Sequence, residues 1–210
     1  MALVLSPRAR FPLAAAVQGP GAPLGEVFRF ASGLYFRGKL AYATAFGRPP
    51  GGAAASAALV IAPGAGLLPA DTVVRARDLR AFAEVDVHER EPRFREPLLR
   101  DARTLAERIG PAGEVVLLGS VATRKYVEPL VSVLGRRLLF PPAFVGRGDM
   151  SRGGLLLRCV SDGAELEYAP VDGAVVHGPR PARLPPPSSS PRSSRGHPRG
   201  RRPSPSSRPR

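Results

Sequence analysis

The sequence predicts an α/β protein with a three-layer, mostly parallel sheet, helices on both faces of the sheet and a closing β-hairpin. The first observation behind this prediction is a set of short, uninterrupted apolar runs, which are typical of strands covered on both sides. The second is that segments with helical periodicity separate these runs, as in chains built from strand, helix and strand units. Ligands bind beyond the carboxyl ends of the strands in such sheets, so the loops that follow the apolar runs are candidate sites.

The N-terminal half of the chain supplies two predicted strands and one long helix. Residues 2–5 form an apolar run that predicts the first strand. Apolar or small residues recur every three or four positions over residues 26–46, which predicts a helix that ends at Gly47. The apolar run at 58–62 is stopped by a Pro-Gly pair and predicts a fully covered strand.

The C-terminal half continues the alternation of helices and strands. Leucine, alanine and isoleucine form a buried stripe after Pro97, and Pro129 suits the first turn of a later helix that begins near Glu128. Two apolar runs flank a Ser-Asp-Gly turn sequence at 161–163, which predicts the closing hairpin. The predicted elements are a helix at 97–109, a strand at 114–118, a helix from about 128, a strand at 137–140 and hairpin strands at 155–160 and 165–171.

A change of composition near Gly178 divides the chain into a body, residues 1–178, and a tail rich in Pro, Ser and Arg, residues 179–210. The body has the length of about one domain. The formal net charge is +14, and the tail holds nine Arg and no acid. The tail has too few apolar side chains to offset the entropy of ordering, so it is predicted to be disordered. It either binds nucleic acid through its charge or is a read-through or frameshifted end of a GC-rich coding sequence.

Cysteine and histidine usage excludes several kinds of site. The chain has one Cys and three His, two of which lie at or in the tail. We therefore predict no zinc site of the Cys/His type, no Cys-His dyad, no metal and no cofactor. Cys159 lies in an apolar run and is predicted to be buried in a protein of a reducing compartment. The apolar run at 13–17 is shorter than a signal-peptide core, so we expect a cytoplasmic protein without a membrane span.

The first candidate site is the loop from Gly119 to Tyr126, which follows the strand at 114–118. Small residues let backbone N–H groups approach an anion, Ser120 and Thr123 add hydroxyls, and Lys125 adds charge. This chemistry suits a phosphate or a carboxylate, although the spacing matches neither the Walker pattern nor the dinucleotide fingerprint. The alternative is a tight turn between strand and helix with a solvated lysine.

The second candidate site is the glycine-rich loop at 146–154, which follows the strand at 137–140. Arg147 and Arg152 are predicted to bind an anion, and Asp149 is predicted to be the catalytic acid or base. The loop is longer than a simple connection requires, which favours a functional role. An ordinary glycine-rich connection is the alternative.

A third cluster lies on one face of the predicted helix at 26–46. Tyr35, Lys39 and Tyr42 are spaced at i, i+4 and i+7, so they share a face that can present aromatic rings and charge. Tyr35 and Tyr42 are therefore candidates for stacking on a base, with Lys39 beside a phosphate. The alternative is an amphipathic helix whose lysine extends along the apolar surface into water.

Two short motifs resemble a family of known domains. They are Leu34-Tyr35-Phe36 in the predicted helix and Gly66-Leu67-Leu68-Pro69 after the strand at 58–62. With the order of elements over most of residues 2–160, they resemble an uncharacterised bacterial domain family related to uracil-DNA-glycosylase-like α/β domains, including one found in archaeosine synthases. The resemblance implies a three-layer sheet and recognition of a nucleobase or nucleotide.

These observations lead to a functional hypothesis with two alternatives. The main hypothesis is a domain that binds a nucleotide or nucleobase, with a glycosidic or phosphoester bond as the place where it would act. Whether the protein is an enzyme is left open. The first alternative is a noncatalytic protein whose basic tail associates with nucleic acid. The second is a protein-interaction module without a small ligand.

Overall fold

The computed structural model describes residues 2–50, 52, 55–119, 121–175, 177–179 and 181–182. The predicted tail lies outside these residues apart from 179, 181 and 182. In the described part the helices are α1 (Ala2–Leu5), α2 (Pro12–Gln18), α3 (Leu24–Ala31), α4 (Gly33–Phe46), α5 (Ala76–Ala83), α6 (Pro92–Ile109), α7 (Arg124–Leu134) and α8 (Asp149–Asp162). The strands are β1 (Ala22–Pro23), β2 (Leu59–Ala62), β3 (Gly66–Pro69), β4 (Val73–Val74), β5 (Val115–Val116), β6 (Leu138–Phe140) and β7 (Ala169–Pro170).

The predicted three-layer parallel sheet is wrong. The described strands form two antiparallel pairs, β1–β4 and β2–β3, and one mixed sheet in the order β5-β6-β7. The strand predicted at 58–62 exists as β2, but it pairs with β3 just after it, with Leu59 opposite Pro69 and Ala62 opposite Gly66. An apolar run reports burial and not the identity of its partner. A nearby partner costs little loop-closure entropy, which favours a hairpin over a distant parallel pairing.

One strand, helix and strand unit of the predicted kind is present. β5 and β6 pair in parallel, α7 connects them, and the Leu117 amide extends the pairing by donating to the Leu139 carbonyl at 2.8 Å. The predicted strand at 137–140 is confirmed as β6. The helix starts at Arg124 and not near Glu128, because Pro129 is accommodated within α7, where it is buried. The loops after β5 and β6 therefore begin at the same edge of this sheet.

The predicted closing hairpin is also wrong. Its first strand belongs to helix α8, whose buried residues Gly153, Leu156 and Cys159 recur every three positions. The turn glycine, Gly163, is the left-handed C-cap of this helix, with φ of 65°. The sequence Ser-Asp-Gly suits a hairpin turn and a helix end equally well, and a continuous apolar run suits a strand and a buried helix face. Of the segment predicted as the second strand, β7 alone pairs, with β6.

Three other predictions differ from the structure in the type or the extent of the element. Residues 2–5 form helix α1 and not a strand. The helix predicted over 26–46 is divided at Ser32 into α3 and α4, and Gly33 there adopts a positive φ of 67°. The helix predicted from Pro97 is confirmed but begins at Pro92, because the Glu91 side chain caps it by accepting from the Arg93 amide at 3.1 Å.

The apolar side chains form three clusters, of which the third positions the candidate site. The first surrounds α6, α7, β5 and β6, and the second surrounds α3, α5 and the β2–β3 hairpin. The third lies where α4 meets α8 and contains Tyr42, Phe144, Leu156 and Cys159. Cys159 is 8% exposed, which confirms its predicted burial. Gly38 of α4 and Gly153 of α8 face each other so closely that a Cβ on Gly38 would lie 2.7 Å from the Gly153 carbonyl oxygen.

Candidate functional site

A cleft of about 1150 Å³ lies between α4, the end of β5 and the segment after α8. Its wall combines apolar side chains with tyrosine rings and a few charged groups, which is the composition expected of a small-molecule site. The lining residues on which its chemistry depends are Tyr35, Lys39, Leu118, Gly119, Tyr126 and Tyr168. Three sides of the cleft thus come from segments far apart in the sequence.

Tyr35 connects helix α4 to the ends of both parallel strands. Its hydroxyl donates a hydrogen bond of 2.8 Å to the carbonyl of Leu118, two residues after β5. Its ring meets the ring of Phe144, in the loop after β6, in an edge-on contact with centroids 6.4 Å apart. Burial raises the pKa of Tyr35, and the nearby Arg152 guanidinium opposes that rise. The predicted stacking candidate is therefore held by the segments that directly precede the two predicted loops.

Lys39 lies one helical turn after Tyr35 and lines the same cleft. Its Nζ is 4.2 Å from the centroid of the Tyr35 ring and 5.4 Å from that of Phe36. Among the described residues, no ion pair includes Lys39. Burial lowers the pKa of Lys39, the Asp149 carboxylate opposes this effect, and Arg152 adds to it. The cleft thus contains a partly desolvated amine whose contacts are aromatic.

The predicted loop at 146–154 ends at Gly148, because the residues from Asp149 onward belong to α8, and its predicted residues come together around the start of that helix. Arg152 donates to the Phe144 carbonyl at 3.2 Å, and its guanidinium lies 5.7 Å from the Phe144 ring centroid. Arg147 donates to the Ala143 carbonyl at 2.9 Å. Asp149 lines the cleft, with 73% of its side chain exposed, and lies 3.9 Å from an Arg152 nitrogen. Both arginines therefore hold the loop, and the Arg152 side chain, 12% exposed, acts on the cleft through its charge.

The residues of the first loop are less concentrated at the cleft. Ser120 lies outside the described residues. Thr123 is the N-cap residue of α7. Lys125 is in the first turn of α7, with Nζ 5.3 Å from the Tyr126 ring centroid, and it is not among the residues that line the cleft. The members of this loop that line the cleft are Gly119 and Tyr126.

Tyr42 is enclosed by the third apolar cluster and is 2% exposed. Its hydroxyl accepts from the Leu166 amide at 2.7 Å and lies 2.8 Å from the hydroxyl of Tyr168. Because Tyr168 donates its proton to Glu165, also at 2.8 Å, Tyr42 is the donor to Tyr168. Burial is the main cause of the raised pKa of both tyrosines. Tyr42 thus anchors the segment after α8 that forms one wall of the cleft.

The carboxylates of the lining give the cleft hydrogen-bond acceptors as well. Glu114, Asp149, Glu165 and Glu167 all belong to the wall. Glu165 is held by Arg48 at 2.9 Å and by Tyr168, so its charge is compensated within the protein. The cleft therefore has a cationic position at Lys39 and acceptors elsewhere along its wall.

Tyr35, Lys39 and Tyr42 all border one cleft, with Tyr42 only 2% exposed, and the stacking of Tyr35 and Tyr42 on a base stays a prediction. The functional groups that sequence reasoning missed are Tyr126, Tyr168 and the backbone of Leu118. Tyr126 directly follows Lys125, so its place at the end of a candidate loop was an available signal. Tyr168 lies in the segment that was wrongly predicted as a hairpin strand. No local sequence pattern indicates that the Leu118 carbonyl accepts a hydrogen bond from a tyrosine distant in the sequence.

The chain matches no protein-family model, no curated protein and no solved structure in the three comparisons made. Within the described ranges, no helix is long and apolar enough to cross a membrane. In the same ranges, no three side chains of His, Cys, Asp or Glu come together as metal ligands. Fold and site define a class: a helix-rich α+β protein with a tyrosine-lined cleft and one lysine in its wall.

Proposed function

We propose that this protein binds a small ligand of the nucleotide class in the tyrosine-lined cleft, with the anionic group of the ligand beside Lys39. The observation that carries the proposal is Lys39 itself, a partly buried cation in contact with aromatic rings and in no ion pair among the described residues. A desolvated charge is costly unless it is paired. An anion bound at Lys39 supplies that partner, and the positive charge of Arg152 offsets part of the negative charge of Asp149 near it.

The rest of the cleft suits the nucleoside part of such a ligand. Tyr126 offers an aromatic surface, and the wall carboxylates accept hydrogen bonds from amino and hydroxyl groups. The volume of about 1150 Å³ is sufficient for a nucleotide. Asp149, exposed at the cleft, is the acid or base that a reaction at a glycosidic or phosphoester bond would use.

The proposal includes a cytoplasmic location, where nucleotides are abundant. The supporting observation is the single Cys159, which is buried, forms no disulfide and has a pKa raised by burial. A thiol in this state belongs to a protein that does not depend on an oxidising compartment.

Titration calorimetry on the full chain tests the proposal. A panel of nucleoside monophosphates, nucleosides and inorganic phosphate identifies which part of the ligand is recognised. We expect Lys39→Gln to weaken nucleotide binding by about 10-fold or more, the usual effect of losing a charged hydrogen-bond partner. Arg103→Gln is the matched control, because Arg103 is an exposed residue of α6 outside the cleft lining and its loss changes net charge equally.

Three outcomes contradict the proposal. The first is that no member of the panel binds, and the second is that Lys39→Gln and Arg103→Gln bind equally well. The third is binding to polynucleotide alone that weakens steeply with salt and is unchanged in Lys39→Gln. This last result favours the alternative in which the basic tail associates with nucleic acid.

A further inference from the structure

Strand β5 has an edge that no described strand covers, since it pairs with β6 alone in that part of the chain. In a parallel pair, the backbone groups of successive residues point alternately towards the partner strand and away from it. The Leu117 amide donates to the Leu139 carbonyl of β6 at 2.8 Å, so the N–H and C=O of Val116 point away from β6. Residues 114–119 all line the cleft. Because side chains alternate between the two faces of a strand, a cleft lined by consecutive residues runs along the strand edge.

The next carbonyl on this edge points the same way. Leu118 lies two positions after Val116, and its carbonyl accepts from the Tyr35 hydroxyl of α4 at 2.8 Å. Tyr35 therefore closes the edge at this end, whereas no described strand pairs with the edge at Val116. Lys39 lies over the Tyr35 ring, on the α4 side of this closure. The position proposed for the anion of a nucleotide is thus separate from the open part of the edge.

Strand β2 brings a second open edge to the same cleft. It pairs with β3 alone among the described strands. The Ala70 amide donates to the Ala58 carbonyl at 2.9 Å, so the backbone groups of Leu59 and Ile61, at the alternate positions, point away from β3. Both residues line the cleft, and the Leu59 side chain is 42% exposed there. An apolar side chain and two strand edges therefore border one open space.

We propose that β5 accepts an extended peptide of a partner protein as an added strand, with apolar side chains at alternate positions and a basic side chain beside Glu114. The open edge presents N–H and C=O groups every two residues, about 6.6 Å apart, which is the spacing of another strand. A nucleotide has no such repeat. Leu59 and Ile61 offer apolar contacts to alternate side chains of the peptide.

Charge complementarity supports the basic side chain. Glu114 is exposed at the start of β5, lines the cleft and takes part in no ion pair among the described residues. A peptide that pairs with Val116 passes within two residues of it. The inference goes beyond the proposed function, because the added strand lies beside Val116 and the nucleotide anion beside Lys39.

Fluorescence anisotropy on the full chain tests the inference with a labelled synthetic peptide. The peptide has lysine at both ends and alternating valine and threonine between them, and its termini are blocked. Two matched peptides keep every side chain and carry N-methyl groups on one or the other set of alternate amides. We expect at least one of them to bind about 10-fold or more weakly, because methylation removes the donors that face the edge.

Val116→Pro is the decisive variant of the protein. It removes an N–H that points away from β6, which an edge strand tolerates, and it should abolish peptide binding. Val116→Thr is the matched control, because it keeps the backbone amide and a branched side chain, and it should bind the peptide normally. Glu114→Gln should weaken binding of the lysine peptide and leave a peptide with serine at both ends unaffected. Circular dichroism checks that each variant is folded.

Equal binding of the parent peptide and both N-methylated peptides overturns the inference, whether or not the proline variant folds. So does equal binding by folded Val116→Pro and Val116→Thr. Sedimentation that shows a dimer which excess peptide does not dissociate assigns the edge to a second copy of the chain and also overturns it. Calorimetry with nucleoside monophosphates keeps the two proposals apart. If a nucleotide binds and the peptide does not, strand addition is wrong and the proposed function stands, and the reverse result has the reverse meaning.

Discussion

The surroundings of Lys39 and of Lys125 differ more than their sequence contexts do. Each lysine has an aromatic residue and a small residue within four positions of it in the sequence. Lys125 contacts the ring of the adjacent Tyr126 and is outside the cleft lining. Lys39 lies in the cleft wall with its Nζ over the ring of Tyr35, which itself contacts the end of β5 and the loop after β6. The difference teaches that distant segments, and not the local motif, convert a basic residue into a candidate site.

The largest effect that tests this comparison is expected for Gly153→Ala. A Cβ at position 153 would lie 2.8 Å from the Leu34 carbonyl oxygen and 2.9 Å from the Tyr35 Cα, so α8 must move away from α4. We expect a loss of about 1–3 kcal/mol in the free energy of unfolding, as for overpacked cores. Nucleotide binding in the cleft should weaken with it. Urea denaturation and titration calorimetry measure both.

Gly154→Ala is the matched control for this prediction. The same substitution is made one position along α8, where a Cβ would meet nothing within 4 Å. It should stabilise the protein by up to about 1 kcal/mol, because alanine has the higher helix propensity. Equal effects of the two substitutions would show that the close approach of α4 and α8 does not maintain the cleft.

A smaller effect is expected for Tyr42→Phe, which removes the anchor of the wall segment after α8. The Leu166 amide loses its acceptor and Tyr168 loses a donor. The expected cost is about 1–2 kcal/mol, the range for leaving a buried polar group without its partner. Tyr126→Phe is the control, since the Tyr126 hydroxyl forms no hydrogen bond with the described residues, and it should change stability by less than about 0.5 kcal/mol. Chemical denaturation measures the free energy of unfolding of both variants. Equal losses would show that the Tyr42 hydroxyl does not anchor this segment.

The smallest expected effect is a pH dependence that belongs to Lys39. Its pKa is lowered in the folded protein relative to the usual 10.5, so the unfolded chain binds more protons between the two values. Stability must therefore rise with pH over that interval. Arginine stays charged throughout, so wild type should gain stability relative to Lys39→Arg as pH rises towards 10.5.

Denaturation of both proteins across the alkaline range measures this difference. The groups that face Lys39 are Tyr35, Asp149 and Arg152, and they are the same in both proteins. A difference that stays flat with pH would show that the Lys39 amine is as well solvated in the fold as in the unfolded chain.

Local structure was predictable where a sequence pattern fits only one kind of secondary structure. The β2 and β6 strands and most of α6 follow from apolar runs and a helical stripe, and the β5–α7–β6 unit follows from their order. The closing hairpin was wrong because the sequence of α8 has two explanations. A glycine at position 163 suits both a hairpin turn and a helix C-cap. In the structure it is the C-cap of α8, with φ of 65°. The three-layer sheet was wrong because β2 pairs with its neighbour β3.

The candidate site was also predictable only in part. Helical spacing predicted the shared face of Tyr35, Lys39 and Tyr42, because residues three and four apart on a helix are neighbours whatever the fold. The partners of that face were not predictable. The Leu118 carbonyl is 83 positions from Tyr35, and the Leu166 amide is 124 positions from Tyr42.

The sequence by itself determined the segments, their polarity and the chemical groups on each helix face, because these depend on residue type and on the helical or strand repeat. Tertiary structure alone decided which strands pair with each other and which of the two lysines lines the cleft. Both outcomes depend on contacts between distant segments, such as the Gly38–Gly153 approach, whose energies no single segment contains. The cleft around Lys39 is a property of that packing.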